Sequence, residues 1–243
     1  MELAGRVALV TGAGRRLGLA IARGLLDRGM DLAVHHHSSA DGAAELVALA
    51  QSRGRRAETF AADLRDPGAA KALPERVAAR FGRLDVLINS AALMVRQSVE
   101  EVTPESWDAT VDLNLRATFF CSQGALPFLR AAHGKVVNLA DIAGLEPWPQ
   151  YVVHCVSKAG VIMLTKGLAR ALAPDVTVNA VAPGAVLLPD EWDDATRAHF
   201  AETTPLKRLG SPADVVQAVL YLLEGGDYLT GEVIVVDGGR LLR

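Results

Sequence analysis

The sequence lacks the features of a secreted, nucleic-acid-binding or membrane protein. Its two cysteines, Cys121 and Cys155, fit neither a disulfide framework nor a zinc cluster, so we expect each to be a small core residue of a reduced, intracellular protein. No lysine or arginine block is long enough for a nucleic-acid footprint, and the net charge is only −3. No apolar run reaches membrane-spanning length, and the N-terminus does not resemble a signal peptide. These absences predict a cytoplasmic protein with a small-molecule partner and neither nucleic acid nor membrane as partner.

What the chain does have is a regular alternation of short apolar runs and helical segments. Half of its 243 residues are hydrophobic, which is enough for one well-buried domain, and we interpret residues 1–243 as a single domain. The alternation predicts an α/β fold: one doubly wound parallel (Rossmann) sheet of about seven strands with helices on both faces. The longest helical region is predicted from Pro104 through Leu129.

Several polar or glycine-rich segments directly follow predicted strands. Ligands of such sheets lie beyond the carboxyl ends of the strands, so these segments are candidates for a common site. A glycine loop between a strand and a helix lets backbone N–H groups approach a pyrophosphate. Tight turns also need glycine, but the strand–loop–helix context favours a dinucleotide cofactor. The candidate segments are Gly12–Gly18, His35–Ser39, Asp63, Asn89–Ala92, Ala140–Asp141 and Pro183–Gly184.

A second signal is a polar row at the start of a long apolar helix. Tyr151, His154 and Lys158 are spaced so that they project from one helical face, about one turn apart. Proton-carrying side chains on an apolar helix are costly unless they are used or paired. The residues alone leave two interpretations open: an active-site face, or a helix N-terminus whose polar residues meet water.

Together these motifs resemble the short-chain dehydrogenase/reductase family over nearly the whole chain. The resemblance implies that Asp63 and Leu64 flank the adenine, and that Asn89 lies beside the cofactor. It also implies that Asn114 holds a water in the proton relay and that Lys158 hydrogen-bonds the nicotinamide ribose. The matching residues are Thr11-Gly12…Gly18, Asp63-Leu64, Asn89-Ser90-Ala91, Asn114, Lys158, Asn179…Pro183-Gly184 and Val236-Asp237-Gly238-Gly239.

One departure resembles the pteridine reductase branch. Arg16 stands where the family usually has glycine, and Asp141 stands in place of the usual serine. The histidine-rich strand end His35–Ser39 adds to this likeness, which implies that Arg16 reaches both the cofactor pyrophosphate and the substrate. The aromatic pterin clamp is missing, because the matching positions are Ala92 or Leu93, and Met94.

The end of the second strand predicts NADPH rather than NADH. No acidic residue that could accept the adenosine ribose hydroxyls occurs from Val34 to Ala40. Arginine, serine and histidine donors are available for a 2′-phosphate instead. The adjacent histidines do not predict a metal, because consecutive strand residues point to opposite faces. The full predicted cofactor set is Gly12, Gly14, Arg15, Arg16, Leu17, Gly18, His37, Ser38, Ser39, Asp63, Leu64, Asn89, Ser90, Ala91, Lys158, Pro183 and Gly184.

The catalytic row departs from the family at its acid. His154 occupies the place of the family's tyrosine, four residues before Lys158. Imidazolium is a good proton donor, and Asp141 favours it while Lys158 opposes it. Three alternatives stay open: Asp141 and His154 form a paired donor, Tyr151 supplies the proton, or the site binds cofactor with little turnover. The predicted catalytic set is Asn114, Asp141, Tyr151, His154 and Lys158.

These expectations lead to two functions of different classes. The first is an NADPH-dependent oxidoreductase that transfers a hydride to a carbonyl or a pterin-like C=N group. The second is a nucleotide-binding regulatory or partner protein on a degenerate reductase scaffold. We expect a substrate lid at about 185–210, containing Trp192 and Phe200. The resemblance further implies a homotetramer assembled through the long helices.

Overall fold

The structure is a computed structural model that describes residues 1–188 and 193–242. Within these residues seven strands form one sheet in the order β3-β2-β1-β4-β5-β6-β7. Every neighbouring pair is parallel, which confirms the predicted doubly wound fold. The strands are β1 (Val7–Val10), β2 (Asp31–His36), β3 (Ala57–Ala61), β4 (Val86–Asn89), β5 (Lys135–Leu139), β6 (Thr177–Pro183) and β7 (Val233–Val236).

Helices cover both faces of the sheet. Strand residues alternate between the two layers: Ala8 and Val10 pack with one set of helices, and Val7 and Leu9 with the other. The first face carries α1 (Arg16–Asp27), α2 (Ala40–Ser52) and α8 (Pro212–Glu224). The second carries α3 (Pro67–Phe81), α5 (Ala117–Ala132) and the end of α6 (Val152–Leu172). Burial on both faces explains why the strands read as continuous apolar runs.

Two further α-helices are present in the described residues. They are α4 (Pro104–Val111) and α7 (Asp194–Thr203). Helix α7 lies within the region of the expected lid, and Asp193 caps it by accepting a hydrogen bond from the Thr196 N–H. Trp192 lies outside the described residues, and Phe200 packs under the Arg240 guanidinium at 4.2 Å.

The helical region from Pro104 to Leu129 differs from the single helix expected. A π turn over Asp112–Arg116 separates α4 from α5. Its buried residue is Asn114, whose side chain hydrogen-bonds both backbone groups of Leu93. A widened turn of this kind commonly marks a functional position in a helix.

Helix α6 starts later than its sequence suggests. It begins at Val152, and Tyr151 is its N-cap with a non-helical φ of −139°. By length and a mean hydropathy of 1.3, α6 alone among the described helices could cross a membrane. Here it packs on the sheet with a buried face that includes His154, Ser157 and Lys158. These residues are therefore part of the interior of the α/β fold.

Candidate active site

A cavity of about 500 Å³ lies at the carboxyl edge of the sheet. It brings together most of the side chains singled out in the sequence, from segments as far apart as residues 12 and 184. Three predicted residues do not line it: Asn89, Asn114 and Tyr151. Those that do are Gly12, Gly14, Arg15, Arg16, Leu17, Gly18, His37, Ser38, Ser39, Asp63, Leu64, Ser90, Ala91, Asp141, His154, Lys158, Pro183 and Gly184.

The glycine loop is closed tightly by backbone contacts. A Cβ atom added at Gly18 would lie 2.3 Å from the Gly12 carbonyl oxygen, and one at Gly14 would lie 2.3 Å from the Ser39 carbonyl oxygen. Neither partner is a movable side chain, so only glycine fits. The loop leads to Arg15, the N-cap of α1, whose side chain makes no capping hydrogen bond. An uncapped helix N-terminus behind a glycine loop suits an anionic ligand.

Arg16 connects the glycine loop to the start of the expected lid. Its backbone is in the left-handed region at φ +50°, which explains why glycine is usual at this position in the family. Its guanidinium Nη2 donates to the Leu187 carbonyl at 3.0 Å. Arg16 and Leu187 both line the cavity, so the guanidinium lies where it can reach a bound anion or substrate.

His35 has a different place from the other two histidines. It is buried at the end of β2, where its Nδ1 accepts from the Gly12 N–H at 3.0 Å and its Nε2 lies 3.2 Å from the Ala62 carbonyl. Burial lowers the pKa of His35 to about 4. The neutral ring ties the glycine loop to β2 and to the end of β3. This role of His35 was not predicted from the sequence, although its position inside a buried strand could have indicated it.

The rest of the strand end faces the cavity. His37 and Ser38 are exposed, and the buried Nδ1 of His36 has no hydrogen-bond partner among the described residues. Asp63 is held by the Arg65 guanidinium at 2.6 Å, which lowers its pKa to about 2 and keeps it charged. Polar groups therefore surround the region beyond β2 and β3, as the cofactor prediction requires.

Lys158 is fixed at the other end of the cavity. Its Nζ donates to the Leu139 carbonyl at 2.6 Å. Burial lowers its pKa to about 8, while the charge of Asp141 acts in the opposite direction. The side chain is thus a rigid donor whose charge is sensitive to its surroundings.

His154 and Asp141 face each other across 3.7 Å, measured from Nε2 to Oδ2. This separation suits an ion pair when the ring is protonated but is too long for a hydrogen bond. The other carboxylate oxygen of Asp141 accepts from the Ala143 N–H at 2.8 Å. The His154 side chain is 3% exposed, and its Nε2 is buried without a hydrogen-bond partner. An unsatisfied buried ring nitrogen beside a carboxylate is a candidate proton-transfer atom.

Asn114 lies behind His154 rather than in the cavity wall. Its Oδ1 accepts from the Leu93 N–H at 2.7 Å. Its Nδ2 donates to the Leu93 carbonyl and to the Ser157 hydroxyl, both at 2.9 Å. Both amide hydrogens are therefore used within the protein, and the role of Asn114 in holding a relay water stays a prediction. Asn89 is likewise turned inward, because its amide donates to Ser122 and Asn138.

Tyr151 does not share a helical face with His154 and Lys158, because it precedes the first turn of α6. Its ring packs edge-on against Trp148, with the two centroids 6.0 Å apart. The expected row of three is therefore a pair inside the cavity and a tyrosine outside it.

Comparison with known proteins agrees with this geometry. The family model described as enoyl-(acyl carrier protein) reductase matches residues 12–240. The 3-oxoacyl-[acyl-carrier-protein] reductase FabG of Staphylococcus aureus is 35% identical over 240 residues, which cover 97% of this chain and 98% of the relative. The chain belongs to the short-chain dehydrogenase/reductase family.

Solved structures of other proteins with this scaffold superpose closely. A double mutant of a Serratia marcescens short-chain dehydrogenase/reductase has a TM-score of 0.91 and 29% identity, with 99% of each chain covered. A blue fluorescent protein from a metagenomic library, in complex with NADPH, has a TM-score of 0.91 and 30% identity over 99% of each chain. A gluconate 5-dehydrogenase from Burkholderia cenocepacia J2315, in complex with NADP and tartrate, has a TM-score of 0.91 and 28% identity, covering 99% of this chain and 96% of that one. The same fold is thus common to all of them.

Proposed function

We propose that this chain is an NADPH-dependent oxidoreductase that transfers a hydride to a carbonyl group, with His154 and Asp141 supplying the proton. The observation that carries the proposal is the buried, unpartnered Nε2 of His154 beside Asp141, in the same cavity as Lys158 and the glycine loop. The alternative of a purely nucleotide-binding protein gives no reason for a carboxylate and a histidine to meet there.

The residues present fit a dinucleotide. Gly14 and Gly18 line the cavity at the uncapped start of α1, where backbone N–H groups can approach a pyrophosphate, and Arg15 and Arg16 add positive charge. The segment from Val34 to Ala40 carries no carboxylate, and His37, Ser38 and Ser39 offer donors to a 2′-phosphate. The complexes of two structural relatives with NADPH and NADP support the same choice. The cofactor supplies the hydride chemistry when bound.

The protein's own contribution is to hold and move the proton. In the reducing direction, imidazolium at His154 donates from Nε2 to the oxygen of the substrate, and Asp141 stabilises the charged ring beforehand. Lys158 holds the ribose side of the site from its anchor on Leu139. Tyr151 is not assigned a proton-transfer role, because its ring is turned toward Trp148.

The apolar wall of the cavity, where we place the substrate, favours an aliphatic carbonyl compound. Leu93, Met94, Val186 and Leu187 line the cavity, and no phenylalanine, tyrosine or tryptophan does so among the described residues. A flat pterin would therefore lack a stacking partner on this wall. Arg16, Asp141 and the histidine-rich strand end His35–Ser39 favour the pteridine reductase branch, so dihydropterins belong in the substrate panel as the second candidate.

The expected lid and tetramer also belong to this proposal. Val186 and Leu187 connect the cavity to the segment at about 185–210, which suits a lid over the substrate. Exposed apolar side chains on the helices around the long helical region support assembly through those helices; they are Trp107, Phe119, Val156 and Met163.

The test is oxidation of NADPH and of NADH in the presence of ketones, quinones and dihydropterins. We expect NADPH to be used in preference, and we expect His154→Ala to lower kcat by roughly 10²- to 10⁴-fold, the usual range for a lost acid–base group. Tyr151→Phe is the matched control and should retain full activity.

Three results would change the proposal. Loss in Tyr151→Phe with activity kept in His154→Ala would move the proton donor to Tyr151. Tight NADPH binding without turnover of any substrate would favour the nucleotide-binding partner protein, and a large gain of activity in His154→Tyr would indicate the same impaired site. Equal affinity for NADH and NADPH would contradict the cofactor assignment.

A further inference from the structure

The hydrogen bonds around His154 determine which of its nitrogens carries a proton. We infer that Asn114 is a positioning residue that holds neutral His154 as the Nδ1–H tautomer, so that Nε2 rests as a proton acceptor beside Asp141. The inference rests on the proposed function for the use of that nitrogen. It also gives Asn114 a role different from holding a relay water.

The tautomer follows from counting hydrogens. His154 Nδ1 lies 3.3 Å from the Leu93 carbonyl and 3.5 Å from Asn114 Nδ2. Asn114 cannot donate to Nδ1, because its two hydrogens already go to Leu93 and Ser157. A lone pair on Nδ1 would then face the carbonyl oxygen of Leu93 with no hydrogen between them. Nδ1 and the Leu93 carbonyl form a hydrogen bond only when Nδ1 carries the hydrogen and donates it to that carbonyl.

The Leu93 carbonyl is itself held in place by the same amide. Asn114 accepts from the Leu93 N–H and donates to its C=O, so one side chain grips both backbone groups of the residue that receives the His154 hydrogen. Ser157 completes the arrangement by accepting from Asn114 and donating to the His154 carbonyl at 2.7 Å. Loss of either partner frees an amide hydrogen or releases the backbone of Leu93.

The neutral ring can therefore only accept a proton at Nε2. In the oxidising direction, the substrate O–H bond breaks and its proton passes to Nε2. A bound oxidised nicotinamide cofactor would accept the carbon's hydrogen together with two electrons as the C=O bond forms. The charged groups of the cavity around His154 are Asp141, which stabilises the imidazolium formed, and Lys158 and Arg16, which oppose it. Asp112 and Arg116 of the π turn pair with each other at 2.6 Å.

The two directions of hydride transfer should consequently depend on pH with opposite signs. Oxidation needs the neutral ring as a base, whereas reduction needs the imidazolium ring as an acid, so a higher pH should favour the first rate over the second. A tyrosine donor would instead remain protonated across neutral pH, because its ordinary pKa is about 10.

The decisive experiment reads the tautomer directly in the cofactor-free protein. Histidine is labelled with ¹⁵N, and long-range ¹H–¹⁵N correlation spectra are recorded from acid to alkaline pH, with the His154 signals identified by their absence in His154→Ala. We expect the alkaline spectrum to show a protonated Nδ1 and an unprotonated Nε2. An Nε2–H tautomer, or a ring still doubly protonated at alkaline pH, overturns the inference.

Variants then test the role of the amide. Asn114→Ala and Ser157→Ala should each shift His154 toward the Nε2–H form, because Asp141 is the strongest acceptor left nearby. Thr165→Val is the matched control: it removes a buried hydroxyl on the same helix that also accepts from an asparagine amide, but it lies away from His154. In Thr165→Val, the tautomer of His154 should match that in the wild type. An unchanged Nδ1–H signal in folded Asn114→Ala and Ser157→Ala contradicts the positioning role.

The spectra, taken together with the NADPH-oxidation assay, separate the inference about the tautomer from the proposed function. The expected tautomer without any hydride transfer means that the positioning stands and the proposed function fails. Hydride transfer with an Nε2–H tautomer, or with the same pH dependence in both directions, means that the function stands and the positioning fails.

Discussion

The two ends of the cavity differ in whether backbone or side-chain atoms form them. The cofactor end is made by backbone: glycines in contact with carbonyl oxygens and the uncapped start of α1. The catalytic end is made by side chains, and its character depends on single atoms such as His154 Nε2 and Lys158 Nζ. A backbone site tolerates few changes of shape but is indifferent to most side-chain chemistry. A side-chain site can exchange its acid, as we propose for this chain, while the surrounding fold stays the same.

The largest effect is expected from crowding the backbone end. Gly18→Ala puts a methyl group 2.3 Å from the Gly12 carbonyl, which cannot move without opening the loop. Overpacking of this kind costs about 3 kcal/mol. We expect a loss of that size in the free energy of unfolding, or roughly 100-fold weaker NADPH binding if the loop opens instead.

Gly167→Ala is the control for this substitution. Gly167 lies in α6, and a Cβ there would meet nothing within 4 Å. We expect stabilisation of up to about 1 kcal/mol from the better helix propensity of alanine. Urea unfolding and fluorescence titration with NADPH measure both variants. Equal NADPH affinity and stability in Gly18→Ala and the wild type would remove the distinction drawn between the two ends.

An intermediate effect is expected at the catalytic end, from the charge of Lys158. The pKa of this lysine is lowered from 10.5 to about 8 by burial, so the unfolded chain holds a proton that the folded protein releases between these values. Stability should therefore rise with pH across that window. Relative to Lys158→Met, which cannot titrate, the wild type should gain up to about 3 kcal/mol between about pH 7 and about pH 10.5.

Parallel urea unfolding of both proteins across this pH range measures the difference. The subtraction removes the contribution of other groups that titrate in alkali. Parallel curves for the two proteins would show that Lys158 is no more costly to charge than an exposed lysine.

The smallest effect is expected where the two ends meet, at Arg16. Arg16→Gly relieves a left-handed backbone that costs about 1–2 kcal/mol, but it also adds freedom to the unfolded chain worth about 0.5–1 kcal/mol. We expect a net stabilisation of at most about 1.5 kcal/mol, accompanied by weaker NADPH binding because a charged donor is lost. Thermal unfolding and NADPH titration check both signs. Destabilisation would mean that the bond to Leu187 matters more than the backbone strain.

The sequence was a good guide to the backbone end of the cavity. Buried strands are recognisable as apolar runs, and each of the predicted loops follows such a run, so their convergence at one edge follows from the parallel topology. The exception is His35. Its neighbours His36 and His37 made it look like a phosphate donor, whereas burial turned its ring onto the Gly12 N–H.

The catalytic end was harder to predict, because helical phase determines it. The spacing of Tyr151, His154 and Lys158 predicts one face only if all three are helical, and the first residue is not. Asn114 could be placed in a helix, but its hydrogen bonds to Leu93 join segments that are distant in sequence. No local pattern in the sequence reports a contact of that kind.

The π turn affects how side chains are oriented at the catalytic end of the cavity. A π turn holds one residue more than an α turn, so it offsets the angular positions of α5 from those of α4 by about 100°. Asn114 lies within the π turn that produces this offset. Deleting one residue other than Asn114 from 112–116 would restore an unbroken helix and turn the Asn114 amide away from Leu93. The sequence would nevertheless still contain Asn114 and the other side chains around His154. On our inference, the choice of the His154 nitrogen that carries the hydrogen therefore depends on the length of a helix as well as on the residue types around the ring.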